Sequence, residues 1–261
     1  MPRNWQPPPG EPHARYHGDL AFADALVADG WAADQLPRKI GRSIHRVPKG
    51  VDADTFRPDG PSERAALGLE NRRVVVTVAR LVPIKNVQLL VEAMALVRRR
   101  VRDAHLLIVG DGPERERVRA RAASLDISDT VTFVGSIPQR ETPRYYRAAD
   151  AFALSSDFDN SPNAVLEAMA SGLPVVATDV GGVREFMPDD AGGAIVPHRD
   201  AAALANAIER YLTQPAEARA AGALNRHRAA AEYSWRSSAE RLLDVYRHAI
   251  DGRGRAERAS A

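Results

Sequence analysis

The fold class of this 261-residue chain is decided by the stretch RVVVTVARLVPIKNVQLLVEAMALVRRRVRDAHLLIVG, residues 73–110. Its first segment, Arg73–Ala79, is a run of β-branched apolar residues, which is typical of a strand buried on both faces. Residues 86–100 carry apolar residues at helical spacing, and residues 105–110 form a second short apolar run. A strand, a helix and a second strand in this order predict one unit of a parallel α/β sheet.

The same alternation of strand and helix patterns continues to residue 178. Near-continuous apolar strands that alternate with helices indicate a sheet covered on both faces. We therefore predict an α/β fold, a doubly wound, Rossmann-like parallel sheet, followed by C-terminal helices. The later predicted strands are TVTFVG (130–135), DAFAL (150–154) and PVVAT (174–178), and the predicted helices are PERERVRARAASL (113–125), TPRYYRAA (142–149) and PNAVLEAMASG (162–172).

Weaker patterns lie on either side of this alternation. Residues 1–18 are polar and proline-rich, which predicts a flexible lead without the apolar core of a signal peptide. Residues 23–48 predict a short strand, a helix broken near Pro37 and a second strand. Beyond the alternation we predict helices opened by Asp200, over 216–233 and from Ser234, and then a frayed polar tail after Asp251.

Composition excludes several classes of protein. The chain has no cysteine, so disulfides and thiolate metal sites are excluded, and a cytoplasmic location is expected. Its 36 basic residues barely outnumber its 34 acidic ones, and nearly all of them are arginine. This arginine richness has two interpretations: the codon usage of a GC-rich genome, or peripheral attraction to an anionic surface such as the inner face of a membrane. Because acids interleave with the arginines, no nucleic-acid partner is expected.

Ligands of open parallel sheets bind outside the carboxyl ends of the strands, so the residues after each strand are the candidates. Arg80 and Lys85 follow the first strand. A guanidinium and an ammonium can neutralise two phosphates without a metal, although two solvated loop cations would have the same pattern. The glycine-containing loops after the second and third strands contain Gly110, Gly135, Ser136 and Ile137.

The segment DFDNSPNAVLE, residues 157–167, follows the fourth strand. Ser161 suits an N-cap and Pro162 a first helical position, so the first turn that includes Asn163 could bind an anion through its free N–H groups. An ordinary capped helix would have the same sequence.

Two carboxylates flank this helix start. Glu167, inside the helix, could accept hydrogen bonds from two ribose hydroxyls, or could simply lie on an exposed face. Asp159 lies where the rest of a ligand would be, or is an acid favoured by the helix dipole.

Other cofactor and catalytic motifs are missing from the sequence. The loop GDGPER lacks the third glycine of the dinucleotide fingerprint, which argues against a nicotinamide cofactor. No histidine pair has metal-ligand spacing and no G-x-S-x-G nucleophile elbow occurs, so covalent hydrolysis and a metal site are not supported.

Five segments in order resemble the C-terminal, donor-binding half of retaining GT-B glycosyltransferases of family 4, also called glycosyl transferases group 1. The resemblance covers residues 47–250. It is carried by VPKGVDADTFRP (47–58), VARLVPIKNVQLLVEAM (78–94), LLIVGDGPERERV (106–118), VTFVGSIPQRETPRYYRAADAFALSS (131–156) and the E-x7-E-like segment from Asp159 to Glu167.

The resemblance implies a hexosyltransferase that uses a UDP-, GDP- or ADP-sugar and requires neither a cofactor nor a metal. Arg80 and Lys85 would hold the diphosphate and stabilise the leaving nucleotide, and Glu167 would hold the ribose. Asp159 would face the sugar, with the backbone of residues 161–163 nearby. The loop over residues 135–138 would frame the base. The acceptor would be a glycan, a lipid or a small molecule.

The sequence departs from the family pattern in two ways. Asp159 stands where the family usually has glutamate, which leaves the strength of its sugar contact open. In addition, residues 1–48 are expected to supply only a flexible lead and a remnant of the acceptor-binding lobe. Residues 49–233 are expected to form the donor-binding domain. Residues 234–261 are expected to form a helix that would cross back onto the acceptor-binding lobe, followed by a polar tail. Two hypotheses follow: a truncated enzyme that binds donor but transfers poorly unless a partner chain supplies the missing lobe, or a non-catalytic nucleotide-sugar-binding module.

Overall fold

The computed structural model of the chain describes residues 23–188 and 190–259, so the predicted lead over residues 1–18 lies outside the described residues. Eight strands and nine α-helices are described. The strands are β1 (Val27–Ala28), β2 (His45–Arg46), β3 (Arg73–Val78), β4 (Ala104–Val109), β5 (Val131–Gly135), β6 (Ala151–Leu154), β7 (Val175–Thr178) and β8 (Gly193–Val196).

The helices connect these strands and complete the C-terminal part. They are α1 (Gly30–Ile40), α2 (Val87–Arg98), α3 (Arg115–Ser124), α4 (Thr142–Tyr146), α5 (Asn163–Ala170), α6 (Val183–Phe186), α7 (Ala201–Thr213), α8 (Pro215–Glu232) and α9 (Trp235–Ala259).

Six of the strands form one parallel sheet in the order β5-β4-β3-β6-β7-β8. The order reverses between β3 and β6, so the connections that leave these two strands diverge at the carboxyl edge and open a crevice there. The predicted doubly wound α/β fold is confirmed. Strand β8 was not predicted.

The sheet is covered by an apolar layer on each face, because both faces of its central strands are apolar. Val75, Leu106 and Ile108 pack against α2 and α7 on one face. Val76 and Phe152 belong to the second layer, together with buried residues of α5. These two layers bury both faces of the sheet and leave its carboxyl edge to the loops.

The weaker N-terminal pattern forms a separate parallel pair of strands, β1 with β2, joined by α1. The predicted break at Pro37 is wrong, since α1 continues to Ile40. It ends at Gly41, which adopts a left-handed conformation and donates its N–H to the carbonyl of Pro37 at 3.0 Å. One apolar side chain of this pair, Val27, is 43% exposed.

The C-terminal helix α9 also differs from the prediction, since it extends through the expected frayed tail to Ala259. The exposed large apolar residues of this helix are spaced along one side of it, and they are Trp235, Leu243, Tyr246 and Ile250. Within the described residues, no helix is both long and apolar enough to span a bilayer.

Candidate functional site

A cavity of about 460 Å³ lies at the carboxyl edge of the sheet, where the strand order reverses. The loops that follow β3, β4, β5 and β6 all contribute to its wall. The lining residues relevant to the prediction are Arg80, Lys85, Gly110, Ser136, Ile137, Asp159, Ser161, Pro162, Asn163 and Glu167. Of the residues singled out from sequence, only Gly135 is not part of the wall.

Gly135 lies behind the wall and accepts a hydrogen bond from the N–H of Gly110 at 2.9 Å. Gly110 has φ 129°, and a Cβ there would lie 2.0 Å from the carbonyl oxygen of Ala79. Only glycine therefore allows the loop after β4 to approach the loop after β3 this closely. Both glycines shape the cavity through the backbone.

Two cations reach the cavity from the loop after β3. Arg80 is exposed, and its side chain has no ion-pair partner within the described residues. Lys85 instead forms an ion pair with Asp159, whose side chain is only 13% exposed. The cavity therefore holds one unpaired guanidinium and one ammonium that is already neutralised by a carboxylate, and both lie within reach of an anionic ligand.

The start of α5 forms another part of the wall. The predicted cap is wrong by one residue, because Pro162 occupies the cap position and the helix begins at Asn163. The Oγ of Ser161 is buried and has no hydrogen-bond partner among the residues described. Since this hydroxyl and the first N–H groups of α5 border the same cavity, they provide donors for an anion there.

Glu167 lies on the cavity side of α5 and is buried, not on an exposed helix face. Its Oε2 accepts a hydrogen bond from the hydroxyl of Tyr146 at 2.8 Å, and its Oε1 accepts one from the side-chain amide of Gln139 at 3.2 Å. Burial raises the pKa of Glu167 above its usual value, and the two hydrogen bonds oppose this shift. The carboxylate is thus oriented by two fixed donors and retains lone pairs for a ligand.

Sequence reasoning missed the two donors to Glu167. Tyr146 is fully buried at the end of α4. Burial raises the pKa of its hydroxyl well above the ordinary value, and the nearby Glu167 raises it as well. Gln139 comes from the turn after β5. Tyr146 lies in the segment TPRYYRAA, and Gln139 lies three residues before that segment. Nothing in their spacing from Glu167 indicates contact, because both side chains reach Glu167 only in the folded chain.

Asp157 holds the start of the segment between β6 and α5 in place through hydrogen bonds. Its carboxylate accepts hydrogen bonds from Asn86 at 2.9 Å and Arg199 at 2.7 Å. Burial alone would raise the pKa of Asp157, but these hydrogen bonds outweigh burial and lower the pKa below its usual value. Asp157 therefore stays ionised and anchors the loop that leads to Asp159.

The described part of the chain contains no group of three histidine, aspartate or glutamate residues placed to hold a metal ion. The chemistry that the cavity offers is that of cations, backbone donors and two carboxylates. Such a set can bind a phosphorylated, hydroxyl-rich molecule, in which the phosphates meet the cations and the hydroxyls meet the carboxylates.

Comparisons with known proteins agree with this chemistry. Residues 59–228 match the family model described as glycosyl transferases group 1. The chain is 36% identical over 228 residues to a GDP-mannose-dependent alpha-(1-6)-phosphatidylinositol monomannoside mannosyltransferase of Mycolicibacterium smegmatis, covering 83% of the chain and 58% of the relative. It is 39% identical over 217 residues to a D-inositol 3-phosphate glycosyltransferase of Frankia alni, covering 78% and 53% respectively.

Solved structures show the same fold. A sucrose-phosphate synthase from Thermosynechococcus elongatus superposes with a TM-score of 0.79 at 30% identity, covering 91% of this chain and 61% of the other. The Anabaena protein HepE, solved in complex with UDP, gives a TM-score of 0.80 at 22% identity, covering 87% and 65%. The chain thus spans less than two thirds of the length of each of these four proteins.

Proposed function

The chain belongs to the glycosyl transferases of group 1, and we propose that its cavity binds the nucleotide-diphosphate-sugar donor of a glycosyltransferase. One observation carries the proposal: Arg80 and Lys85 from the loop after β3, and Glu167 from α5, line a single cavity together with the start of α5. A diphosphate, a ribose and a sugar present the groups that these residues complement.

The donor diphosphate is assigned to Arg80, Lys85 and the first turn of α5. Two cations together with the helix N–H groups offset the charge of a diphosphate without a metal. The ribose is assigned to Glu167, which Tyr146 and Gln139 orient. Ser136 and Ile137 lie beside the base, and Asp159 lies beside the sugar.

In the reaction, the bond between the sugar C1 and the diphosphate oxygen breaks, and its electron pair stays on the diphosphate. A bond forms between C1 and an acceptor hydroxyl oxygen, which gives up its proton. The residues of this chain act on the leaving group, because Arg80 and Lys85 stabilise the charge that develops on the diphosphate. Retention of configuration at C1 is proposed from the family resemblance.

The acceptor proposed here is a molecule that contains an inositol phosphate. Support comes from the names of the two relatives, which act on phosphatidylinositol monomannoside and on D-inositol 3-phosphate respectively. A lipid-linked acceptor of the first kind would bring the chain to a membrane surface, where its many arginines would favour anionic headgroups.

Transfer by residues 1–261 alone is proposed to be slow, or absent if the chain is a binding module. Between residue 23 and the donor-binding domain, the structure describes only β1, α1 and β2. In addition, Trp235 at 60% and Ile250 at 69% exposure leave apolar surface on α9 uncovered. Both features support a requirement for further acceptor-side structure.

The proposal is tested by titrating the purified chain with GDP-mannose, UDP-glucose and ADP-glucose in a calorimeter, and by assaying transfer of radiolabelled sugar to inositol 3-phosphate. Binding of one donor with little transfer is the expected result. If no nucleotide sugar binds, the assignment of the cavity is wrong. Rapid transfer by the isolated chain would contradict the requirement for further acceptor-side structure.

A further inference from the structure

The first turn of α1 is capped by the loop that carries Asp159. The backbone N–H of Trp31 donates to the carbonyl of Asn160 at 3.1 Å, and the N–H of Ala32 donates to the side-chain oxygen of Asn160 at 2.9 Å. The side-chain amide of Asn160 also donates to Asp29 at 3.1 Å. One asparagine thus satisfies two of the four N–H groups that a helix start leaves open.

A second residue of the donor-binding domain completes this cap. Glu185, whose side chain is 8% exposed, accepts a hydrogen bond from the N–H of Gly30 at 2.7 Å through Oε2. Its Oε1 accepts one from Arg46 at 3.1 Å. The segment that contains β1, α1 and β2 is therefore attached to the donor-binding domain by hydrogen bonds at its helix start and at β2.

The opposite side of the loop is held just as closely. The N–H of Gly182 donates to the carbonyl of Asp159 at 3.0 Å. A Cβ at Gly181, where φ is +52°, would lie 1.5 Å from that same carbonyl oxygen. Phe158 contacts Trp31 edge to face, with ring centroids 5.3 Å apart. Asp159 and Asn160 are thus clamped between α1 and the glycine turn after β7.

We propose that Asn160 is a positioning residue for the donor sugar, acting through Asp159. This inference rests on the proposed function, in which Asp159 faces the sugar. The side chain of Asn160 joins the loop to α1 by a hydrogen bond. This hydrogen bond holds the Asp159 carboxylate at the cavity wall, where it forms an ion pair with Lys85. The described segment of β1, α1 and β2 thereby sets the geometry of a cavity that none of its own side chains line.

The physical basis is the orientation of one short carboxylate. An aspartate cannot follow a displaced ligand as a longer side chain can, so its backbone must be fixed for a directional contact to form. The diphosphate is held by Arg80, Lys85 and α5, which the cap does not touch directly. Loss of the cap should therefore affect the sugar and spare the diphosphate.

The test compares two affinities in one variant. In Asn160→Ala, the Kd of the donor nucleotide sugar is expected to rise about 10-fold, while the Kd of the matching nucleoside diphosphate changes less than about 2-fold. The probes are GDP-mannose with GDP, and UDP-glucose with UDP. Asn206→Ala, on the surface helix α7, is the matched control and should change neither affinity.

A reciprocal exchange separates positioning from general damage to the fold. Asn160→Asp alone places a carboxylate beside Asp29 and should weaken sugar binding. Combining it with Asp29→Asn reverses donor and acceptor in the same hydrogen bond and keeps the net charge. Lys49, which lies 3.6 Å from Asp29 and 3.5 Å from the carbonyl of Ser161, remains close enough to neutralise the exchanged carboxylate. The double variant should recover the selective affinity for the sugar.

The possible results distinguish this inference from the proposed function. If the unaltered chain binds neither nucleoside diphosphates nor nucleotide sugars, the proposed function fails. If it binds them but Asn160→Ala changes both affinities equally or changes neither, the positioning role is overturned. A double variant that folds but does not recover sugar affinity also overturns it.

Discussion

Lys85 and Asp159 form an ion pair at the wall of the candidate cavity, although 74 residues separate them in the chain. One residue follows β3 and the other follows β6, so the pair spans the point where the strand order of the sheet reverses. A diphosphate ligand must share the Lys85 ammonium with this carboxylate.

Replacing Lys85 with alanine should weaken binding of a nucleoside diphosphate about 10- to 100-fold, since a hydrogen bond to a charged group contributes about 1.5–3 kcal/mol. Isothermal titration with GDP and UDP measures the effect. Lys39→Ala is the control, because Lys39 is an exposed lysine near the end of α1. Unchanged affinity in Lys85→Ala would place the phosphates elsewhere.

Replacing Arg80 with alanine should give a loss of similar size, about 10- to 100-fold, because its guanidinium is not already engaged by a carboxylate. Circular dichroism should show an intact fold, since Arg80 is exposed. The matched control is Arg102→Ala, an exposed arginine just before β4 and hence at the other end of that strand. Equal losses in both variants would indicate a general electrostatic effect and not a site.

Asp159→Asn should separate the two halves of the donor. The substitution removes the charge that neutralises Lys85, so the affinity for a nucleoside diphosphate should stay constant or rise by about 2- to 5-fold. The affinity for the nucleotide sugar should fall, because an amide replaces the acceptor for the sugar hydroxyls. Parallel titrations with GDP and GDP-mannose measure both. A drop in GDP affinity would contradict this assignment of Asp159.

Glu167 should make nucleotide binding sensitive to acid. Burial raises its pKa above the ordinary carboxyl value, so on acidification it takes up a proton earlier than an exposed glutamate and loses its capacity to accept from two ribose hydroxyls. Affinity should therefore fall as the pH decreases toward that raised pKa. Glu167→Gln should bind more weakly at neutral pH and should lose this part of the pH dependence.

The comparison with Glu167→Gln also removes the contribution of the phosphates, whose own titration is the same in both proteins. Glu116→Gln, at an exposed position on α3, serves as the control and should titrate like the unaltered chain. If Glu167→Gln and the unaltered chain give parallel pH profiles, Glu167 does not bind the ribose as a carboxylate.

His105 should make the folded state sensitive to acid in a different pH range. Burial, together with the nearby positive charges of Arg72 and Arg98, lowers its pKa from 6.5 to about 4. A group with a depressed folded-state pKa binds its proton more readily when unfolded, so stability is lost as the pH falls from 6.5 toward 4. Linkage gives a loss on the order of 3 kcal/mol at pH 4.

Urea denaturation at pH 7 and at pH 4 measures this loss. His105→Gln can keep the contact with Thr132, which lies 2.8 Å from the ring nitrogen, and should reduce the acid sensitivity. His227→Gln, at an exposed position on α8, should not. Identical pH dependence in the two variants would show that His105 does not bind a proton on unfolding.

The central sheet was predictable because its strands are buried on both faces. Each of β3, β4, β6 and β7 is a nearly continuous apolar run of four to six residues, which is typical of a strand buried on both faces. Strand β8 was not predictable, since Gly193–Val196 is short and follows directly on a glycine-containing turn. It is a strand because β7 offers it a partner edge.

The candidate site was predictable in its members but not in its contacts. Strand ends at one edge of a parallel sheet must lie close together, and this placed Arg80, Lys85 and Asp159 in one region. Sequence contains no comparable rule for the ion pair of Lys85, for the hydrogen bond from Tyr146 to Glu167 or for the cap that Asn160 gives to α1. These contacts depend on loops and helices whose relative positions only the folded chain defines.

The walls of the cavity come from four different strand–helix connections, so the binding site exists only while the whole sheet is intact. Any occupant consequently binds the native chain and not the unfolded one. At a hundredfold excess over its Kd, it adds about 2.7 kcal/mol to the free energy of unfolding. The cellular concentration of the occupant would then set how slowly the chain is degraded by proteases, independently of any reaction that the occupant undergoes.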